Sequence, residues 1–189
     1  MQRRAGRNTM PSASREIFDT RHCGFPKVLQ NMAATPPYRG THSMTTPIWH
    51  RRPTPADLQA MSRATAVEHL GIEFTDVGDD YLSAKMPVDR RTIQPYGLLH
   101  GGASVLLAET IGSAAAHCCV DDSVVLTVGI EINANHVRGV RGGWVHGTAR
   151  PLHIGRTSQL WEIRVVDDAA RLVCISRLTI GVMPREAIR

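Results

Sequence analysis

One stretch in the middle of the chain, residues 102–118 (GASVLLAETIGSAAAHC), consists almost wholly of small and apolar residues and contains a single carboxylate, Glu109. His100, Gly101 and Gly102 break the chain at its start. The apolar residues lie on nearly every side of a helical wheel, and a helix of this kind is buried. The sequence therefore predicts a long central helix that lies in the concavity of a sheet rather than on the surface.

Strand-like runs on both sides of this helix supply the sheet. Thr54 and Pro55 are a good N-cap and first residue for a short helix over about 55–63. The segment LGIEFTDVGDDYLSAKMPV then predicts two strands joined by a turn at VGDD. Four more strands are expected after the long helix, at about 124–134, 143–153, 158–167 and 171–182. This order of elements predicts an α+β fold in which one sheet covers one long helix.

The net positive charge of the protein comes from the start of the chain. Residues 1–43 carry seven Lys or Arg and two Asp or Glu, a charge of +5 that equals the net charge of the whole protein. They show no helical or strand periodicity, which predicts a disordered basic extension before a domain over 44–189. Because residues 44–189 sum to zero, the charge gives no reason to expect nucleic-acid binding.

Three explanations of this extension stay open. The start codon could be assigned too far upstream, with Met44 the true first residue. The segment could be a solvated extension without a specific role. It could also be a targeting peptide, although it has no continuous apolar segment and is not free of acidic residues.

The spacing of the cysteines and histidines indicates the redox state of the compartment and whether a metal site is expected. Of the four cysteines, Cys118 and Cys119 are adjacent and Cys23 and Cys174 stand alone, so no Cys-x-x-Cys pair exists. This usage predicts a reducing compartment, most simply the cytoplasm. None of the nine histidines shows His-x-x-x-His or His-Glu-x-x-His spacing, so no metal site is expected. No apolar run reaches the ~18 residues of a membrane-spanning helix, and no membrane partner is expected.

Glu109 has unusual neighbours for a glutamate on a helix. The residues three and four positions away from it are Val105, Leu106, Gly112 and Ser113, whereas a solvated glutamate normally shares its face with other charges. Two interpretations remain. Either Glu109 lies half-exposed on a helix edge, or it borders a pocket where small neighbours admit a ligand or a second subunit. In the second case burial would raise the pKa of its carboxyl, as is common at functional sites.

The glycines that precede the helix indicate a place where negative charge is stabilised. They expose backbone N–H groups at a helix N-terminus, where the macrodipole favours anions. A thioester oxygen placed there would be stabilised as it becomes an oxyanion. The alternative is that Gly101 and Gly102 only form a tight turn, and the nearby Gln94 and His100 weaken that interpretation.

Three segments, in order, resemble the hotdog-fold acyl-CoA thioesterases: MPVDRRTIQPYGLLHGGASVLLAETIGSAAA, GIEINANHVRG and GTARPLHIGRTSQLWEI. The resemblance covers about residues 46–182 and is greatest to the branch of the 1,4-dihydroxy-2-naphthoyl-CoA hydrolases and the enterobactin proofreading thioesterases. It implies an antiparallel sheet wrapped around the central helix. It also implies a homo-oligomer, a dimer or a homotetramer, with the site between subunits. The acyl-CoA thioester is the substrate, and no cofactor is implied.

The resemblance also implies roles for individual residues. Glu109 matches the catalytic carboxylate, as nucleophile or general base, and would face Gln94 across a dimer interface. Gly101 matches the N–H donor to the thioester oxygen, and Gln94 and His100 match groups that position and polarise the carbonyl or the attacking water. Ser113 matches a helper hydroxyl. Coenzyme A contacts match His136, Val137, Arg138, Gly139, His153, Ile154, Gly155, Arg156, Thr157 and Ser158.

These features predict a cytoplasmic thioesterase for an aromatic or bulky acyl-CoA, with 1,4-dihydroxy-2-naphthoyl-CoA as one candidate. The small side chain of Ala114 would leave room for a ring, and Arg138, Arg141 and Arg156 are candidates for the phosphates. Two alternatives stay open. An acyl-thioester dehydratase is disfavoured because no Asp-x-Asn-x-x-His pattern occurs. A non-catalytic acyl-CoA-binding protein is disfavoured by Glu109 and by the lack of a helix–turn–helix pattern before residue 44.

Removal of residues 1–43 should leave kcat/KM and melting temperature nearly unchanged, because this segment has no periodic apolar pattern with which to join the core. The measurement compares the full chain with a protein that starts at Met44. A tenfold or greater loss of activity would show instead that the extension contributes to the site.

Overall fold

The computed structural model describes residues 46–188, so the predictions for residues 1–43 lie outside the described part. The three helices are α1 (Pro55–Met61), α2 (Ala66–His69) and α3 (Gly101–Cys118). The six strands are β1 (Glu73–Val77), β2 (Leu82–Pro87), β3 (Val125–His136), β4 (Trp144–Ile154), β5 (Ser158–Asp167) and β6 (Leu172–Pro184), and a final 3-10 turn covers Arg185–Ile188. The predicted α+β order is confirmed.

The short helices follow from local capping. In α1 the Thr54 hydroxyl accepts a hydrogen bond from the Asp57 N–H, and the Asp57 carboxylate accepts one from the Thr54 N–H (3.2 and 3.0 Å). The short helix α2 was not predicted, although the hydroxyl of its N-cap Thr65 accepts a hydrogen bond from the Val67 N–H and Glu68 lies in its first turn. At four residues, α2 is too short to show an apolar period.

All six strands form one antiparallel sheet in the order β1-β2-β4-β5-β6-β3. The helix α3 packs against five of these strands, β2 to β6, and contributes Leu107 and Ile111 to the centre of the core, where both are fully buried. Because β3 pairs only with β6, the outer edge of this long strand has no neighbour within residues 46–188.

Two glycines set how deeply α3 lies in the sheet. A Cβ atom at Gly112 of α3 would lie 2.5 Å from Cδ2 of Leu178, and one at Gly147 of β4 would lie 2.6 Å from Cδ1 of Ile111. Real Cβ atoms do not approach other atoms this closely, so any side chain at either position would push helix and sheet apart. The small residues of the central stretch are therefore a packing requirement at this contact.

The expectation that α3 is buried on every side is wrong for the single chain. The side facing the sheet is buried, but the opposite side is half-buried and includes Val105, Leu106, Glu109, Thr110, Ser113 and Ala114. The sequence pattern could not separate burial against the chain's own sheet from burial against something else, since both require small or apolar residues.

Candidate active site

The N-terminus of α3 presents one free backbone donor. His100 is the N-cap, and its Nδ1 accepts a hydrogen bond from the Gly102 N–H at 2.8 Å. The next two N–H groups, of Ala103 and Ser104, donate to the His100 carbonyl. The remaining donor of the first turn is the Gly101 N–H, which has no acceptor among residues 46–188. It lies where the helix dipole favours negative charge.

The capping bond also selects one tautomer of the neutral His100 ring. A nitrogen that accepts a hydrogen bond carries no proton, so the proton of the neutral ring lies on Nε2. His100 is exposed, and its Nε2–H is therefore available as a second donor beside the helix N-terminus.

A cavity of about 370 Å³ opens at this end of α3. Its walls combine several of the predicted site residues with apolar ones: Gln94, Leu98, Leu99, Gly101, Ser104, His136, Val137, Arg138, Gly139 and Val173. The Oε1 atom of Gln94 accepts a hydrogen bond from the Tyr96 N–H at 2.6 Å, which leaves the amide NH₂ of Gln94 to donate to a ligand. The structure thus brings together Gln94, Gly101 and the segment 136–139.

His136 lies directly over Gly101. A Cβ atom at Gly101 would be 2.9 Å from Nε2 of His136, so the last residue of β3 covers the first residue of α3. A side chain on Gly101 would therefore displace the imidazole of His136.

Glu109 does not line this cavity. Its side chain extends toward Gly129 of β3, and its Oε1 atom occupies space that a Cβ atom on Gly129 would need. Glu109 is half-buried, and this burial raises the pKa of its carboxyl. Desolvation is the cause of this shift. The pocket-bordering role of Glu109 stays a prediction.

The other predicted residues lie at the Glu109 end of the molecule. Ser113 follows Glu109 by one helical turn and is also half-buried. The loop 153–158 joins β4 to β5, and strand register places it at the same end of the sheet as Gly129 but two to three strands away: Gly129 is opposite Ile180, Ile180 opposite Gln159, and Gln159 opposite Ile154. One chain therefore carries two groups of site residues, at opposite ends of β3.

We call them the helix-start group (Gln94, His100, Gly101 and 136–139) and the Glu109 group (Glu109, Ser113 and 153–158). Ser104 was not among the predicted residues of the first group. Ser104 lies one turn after Gly101, is buried, and lines the same cavity. The spacing of three residues on a helix was the available signal, since residues at i and i+3 share a face.

The candidate phosphate-binding arginines are dispersed. Arg138 lies in the cavity wall and donates to the Leu172 carbonyl, whereas Arg141 donates to the Tyr96 carbonyl. Arg156 lies in the loop at the other end. Within the described residues, no three His, Cys, Asp or Glu side chains could together hold a metal ion, and no helix is long and apolar enough to cross a membrane.

The antiparallel sheet wrapped around α3 has the architecture of a hotdog fold. Comparison with known proteins agrees. The thioesterase superfamily matches residues 96–174. The chain is 52% identical over 136 residues to the 1,4-dihydroxy-2-naphthoyl-CoA hydrolase of Escherichia coli, covering 72% of this chain and 99% of that protein.

Two further relatives extend this result. The proofreading thioesterase EntH of Cronobacter turicensis is 54% identical over 136 residues, which cover 72% of this chain and 98% of that protein. A crystal structure of a mutant thioesterase from Pseudomonas aeruginosa superposes with a TM-score of 0.72 at 48% identity, covering 72% of this chain and 99% of that one. The chain therefore belongs to the thioesterase superfamily, and the prediction that it is a thioester hydrolase with the hotdog fold is confirmed.

Proposed function

We propose that this protein hydrolyses an aromatic or bulky acyl-CoA at a site formed between two copies of the chain. Glu109 of one copy acts together with Gln94, His100 and Gly101 of the other. The observation that carries the proposal is the separation, within one chain, of the Glu109 group from the helix-start group. Each group alone holds only part of what thioester hydrolysis requires.

Within one chain, the Glu109 group and the helix-start group are too far apart to act on the same thioester. Glu109 follows Gly101 by eight residues on the same helix, which corresponds to about 12 Å along the axis. A nucleophile or an activated water must be about 3–3.5 Å from the carbonyl carbon in a reactive geometry. The Glu109 carboxylate lies against Gly129, seven residues along β3 from the His136 that covers Gly101. In this arrangement the two groups of one chain do not meet at one carbonyl group, whereas groups from two chains can.

The edge strand β3 offers a way to bring the two groups together. Its outer edge is unpaired within the described residues, and Val128 and Ile130 are exposed, Ile130 at 68%. An exposed apolar edge strand is a template for pairing with another strand. If two copies pair antiparallel about residues 132 and 133 of β3, Gly129 of one lies opposite His136 of the other. That arrangement forms two sites per dimer, and in each the Glu109 group of one copy lies beside the helix-start group of the other.

The proposed chemistry uses each group in a defined role. The Gly101 N–H, the Gln94 amide and the His100 Nε2–H surround the thioester oxygen and stabilise it as charge develops. Glu109 then either attacks the carbonyl carbon, releasing the thiolate and leaving an anhydride that water hydrolyses, or takes a proton from the water that attacks. Both routes consume one water and yield a carboxylic acid and the free thiol. Ser113 would hold the carboxylate or the water.

The coenzyme A part of the substrate would extend over the segments that the resemblance assigns to it. Residues 136–139 lie in the cavity wall beside Gly101, and the loop 153–158 of the other copy would face them. Arg138 and Arg156 would meet the phosphates. The names of the hydrolase from Escherichia coli and of EntH support a thioester substrate of this class, and a cytoplasmic location is consistent with free thiols at Cys118, Cys119 and Cys174.

Glu109→Gln should lower kcat at least ~100-fold at neutral pH while the protein stays folded and still binds coenzyme A, since the amide can neither attack nor accept a proton. The raised pKa of Glu109 sets the pH dependence. The carboxylate is the active form, so wild-type kcat should fall as pH drops through a value above the usual glutamate range. The measurements are kcat from pH 4 to 9 and circular dichroism. Retention of more than about a tenth of wild-type kcat would contradict the assigned role.

Two inactive variants should restore activity together. In a mixed dimer of Glu109→Gln and Gln94→Ala subunits, one site carries both substitutions and the other carries neither. Random assortment makes half of the dimers mixed, so the mixture should recover about a quarter of wild-type activity. The two chains are co-expressed, and each variant alone is the control. A mixture no more active than the average of the two variants would place the whole site within one chain.

Ala114→Met should lower kcat/KM for naphthoyl-CoA more than for benzoyl-CoA, because added bulk in the acyl pocket disfavours the larger ring. A change of this size in an apolar pocket is worth ~1–3 kcal/mol, so the shift should be tens-fold rather than absolute. The comparison uses acetyl-, benzoyl- and naphthoyl-CoA on both proteins. The aromatic preference is wrong if acetyl-CoA is the best wild-type substrate or if all three fall equally.

A further inference from the structure

We propose that Gly129 of β3 is a positioning residue for the reaction: the absence of a side chain there creates the space in which the Glu109 carboxylate lies. The inference rests on the proposed function, because it assigns to Gly129 the placement of the acid that the function requires. Gly129 itself contacts no reacting atom. Its effect on the chemistry is exerted through Glu109.

The close approach of Glu109 is the first observation. A Cβ atom at Gly129 would collide with Oε1 of Glu109, and the other near atom is Cδ of the same carboxyl group. Apart from the adjacent residues Val128 and Ile130, no other atom of residues 46–188 comes within 4 Å of that position. The space left by the missing side chain is thus occupied by one group alone, the carboxylate.

The backbone gives no other reason for a glycine at this position. Gly71, Gly97 and Gly143 have positive φ angles, which favour glycine. Gly129 is not among these, so an alanine is compatible with its backbone conformation. The requirement for glycine at Gly129 is therefore steric, and it comes from Glu109.

The local strand geometry supports a functional role. The register between β3 and β6 shifts between Gly129 and Glu131, which marks a β-bulge at the point where β3 passes the carboxylate. Bulges bend a strand locally and are frequent next to active sites, where they redirect side chains. Here the bulge and the missing side chain occur together at the single place where β3 meets Glu109.

The nature of the group that a Cβ at Gly129 would meet determines whether activity or stability should change. The colliding group is the far end of a flexible side chain, which can move away at small energetic cost. An alanine at Gly129 should therefore leave the fold intact and displace the carboxylate. Gly147 is the contrasting case, because a methyl group there would meet Ile111 and Leu107 in the closed core, so Gly147→Ala should lower stability.

The test compares Gly129→Ala with Gly142→Ala. Gly142 is a matched control, since a Cβ there meets no atom within 4 Å and its φ is not positive. With benzoyl-CoA as the probe, Gly129→Ala should lower kcat about 10- to 100-fold, as expected for a displacement of about 1 Å, with little change in KM or melting temperature. The added methyl also excludes water from the carboxylate, so the acidic limb of the kcat profile should move to higher pH. Gly142→Ala should match wild type in all of these.

A double-mutant cycle separates positioning from general damage. If Gly129 acts through Glu109, then Gly129→Ala should cause no further loss of kcat in a Glu109→Gln background. Multiplied losses would show that the two residues act independently and would overturn the inference. A Gly129→Ala protein with wild-type kcat and an unchanged acidic limb would also overturn the inference. If Glu109→Gln is inactive in that case, the proposed function still holds. An active Glu109→Gln would instead remove the proposed function itself.

Failure of Gly129→Ala to fold would still be informative. The collision would then be costly, and removing the carboxylate with Glu109→Ala in the same chain should restore the melting temperature. If Glu109→Ala does not restore it, the methyl group collides with something other than Glu109 and the inference is wrong.

Discussion

The contact between α3 and the sheet at Gly112 and Gly147 is the constraint on which the rest of the structure depends. With no Cβ at either position, Leu178 and Ile111 occupy the space and the helix lies against the strands at minimum distance. This contact holds the helix near its middle, so it fixes both its depth and its rotation. The positions of the free N–H at one end and of the carboxylate eight residues later follow from it. A core so closely packed transmits displacements to the site rather than absorbing them.

Strand β3 spans the distance between the two groups of predicted site residues on this helix. His136, at one end of the strand, covers Gly101, and Gly129, near the other, receives Glu109. The same strand is the unpaired edge of the sheet, so the element that positions the site residues within a chain is also the one proposed to align two chains. A change in the register of β3 would therefore alter both the internal geometry and the assembly.

Much of the fold could be predicted because it depends on local patterns. The apolar run predicted α3, the alternation of apolar and polar side chains predicted the strands, and Thr54 predicted the start of α1. The roles of Glu109 and Gly101 were predicted from their unusual neighbours and from the resemblance, and they stay predictions. Strand register could not be predicted, because side chains repeat every two residues and the pattern does not say which residues are opposite one another. The separation of the loop 153–158 from the segment 136–139, and the contact of Glu109 with Gly129, thus became visible only in three dimensions.

His100 shows how folding can select a chemical state. The free imidazole exists in three forms, two neutral tautomers and one cation, and only the tautomer protonated on Nε2 can accept the Gly102 N–H at Nδ1. Forming the helix therefore chooses the form that also has a donor on its far side. Among other side chains, the amide of asparagine could likewise accept with one atom and donate with the other, whereas aspartate could only accept. Position 100 therefore requires a side chain that accepts a hydrogen bond from the Gly102 N–H on one side and can donate one on the other.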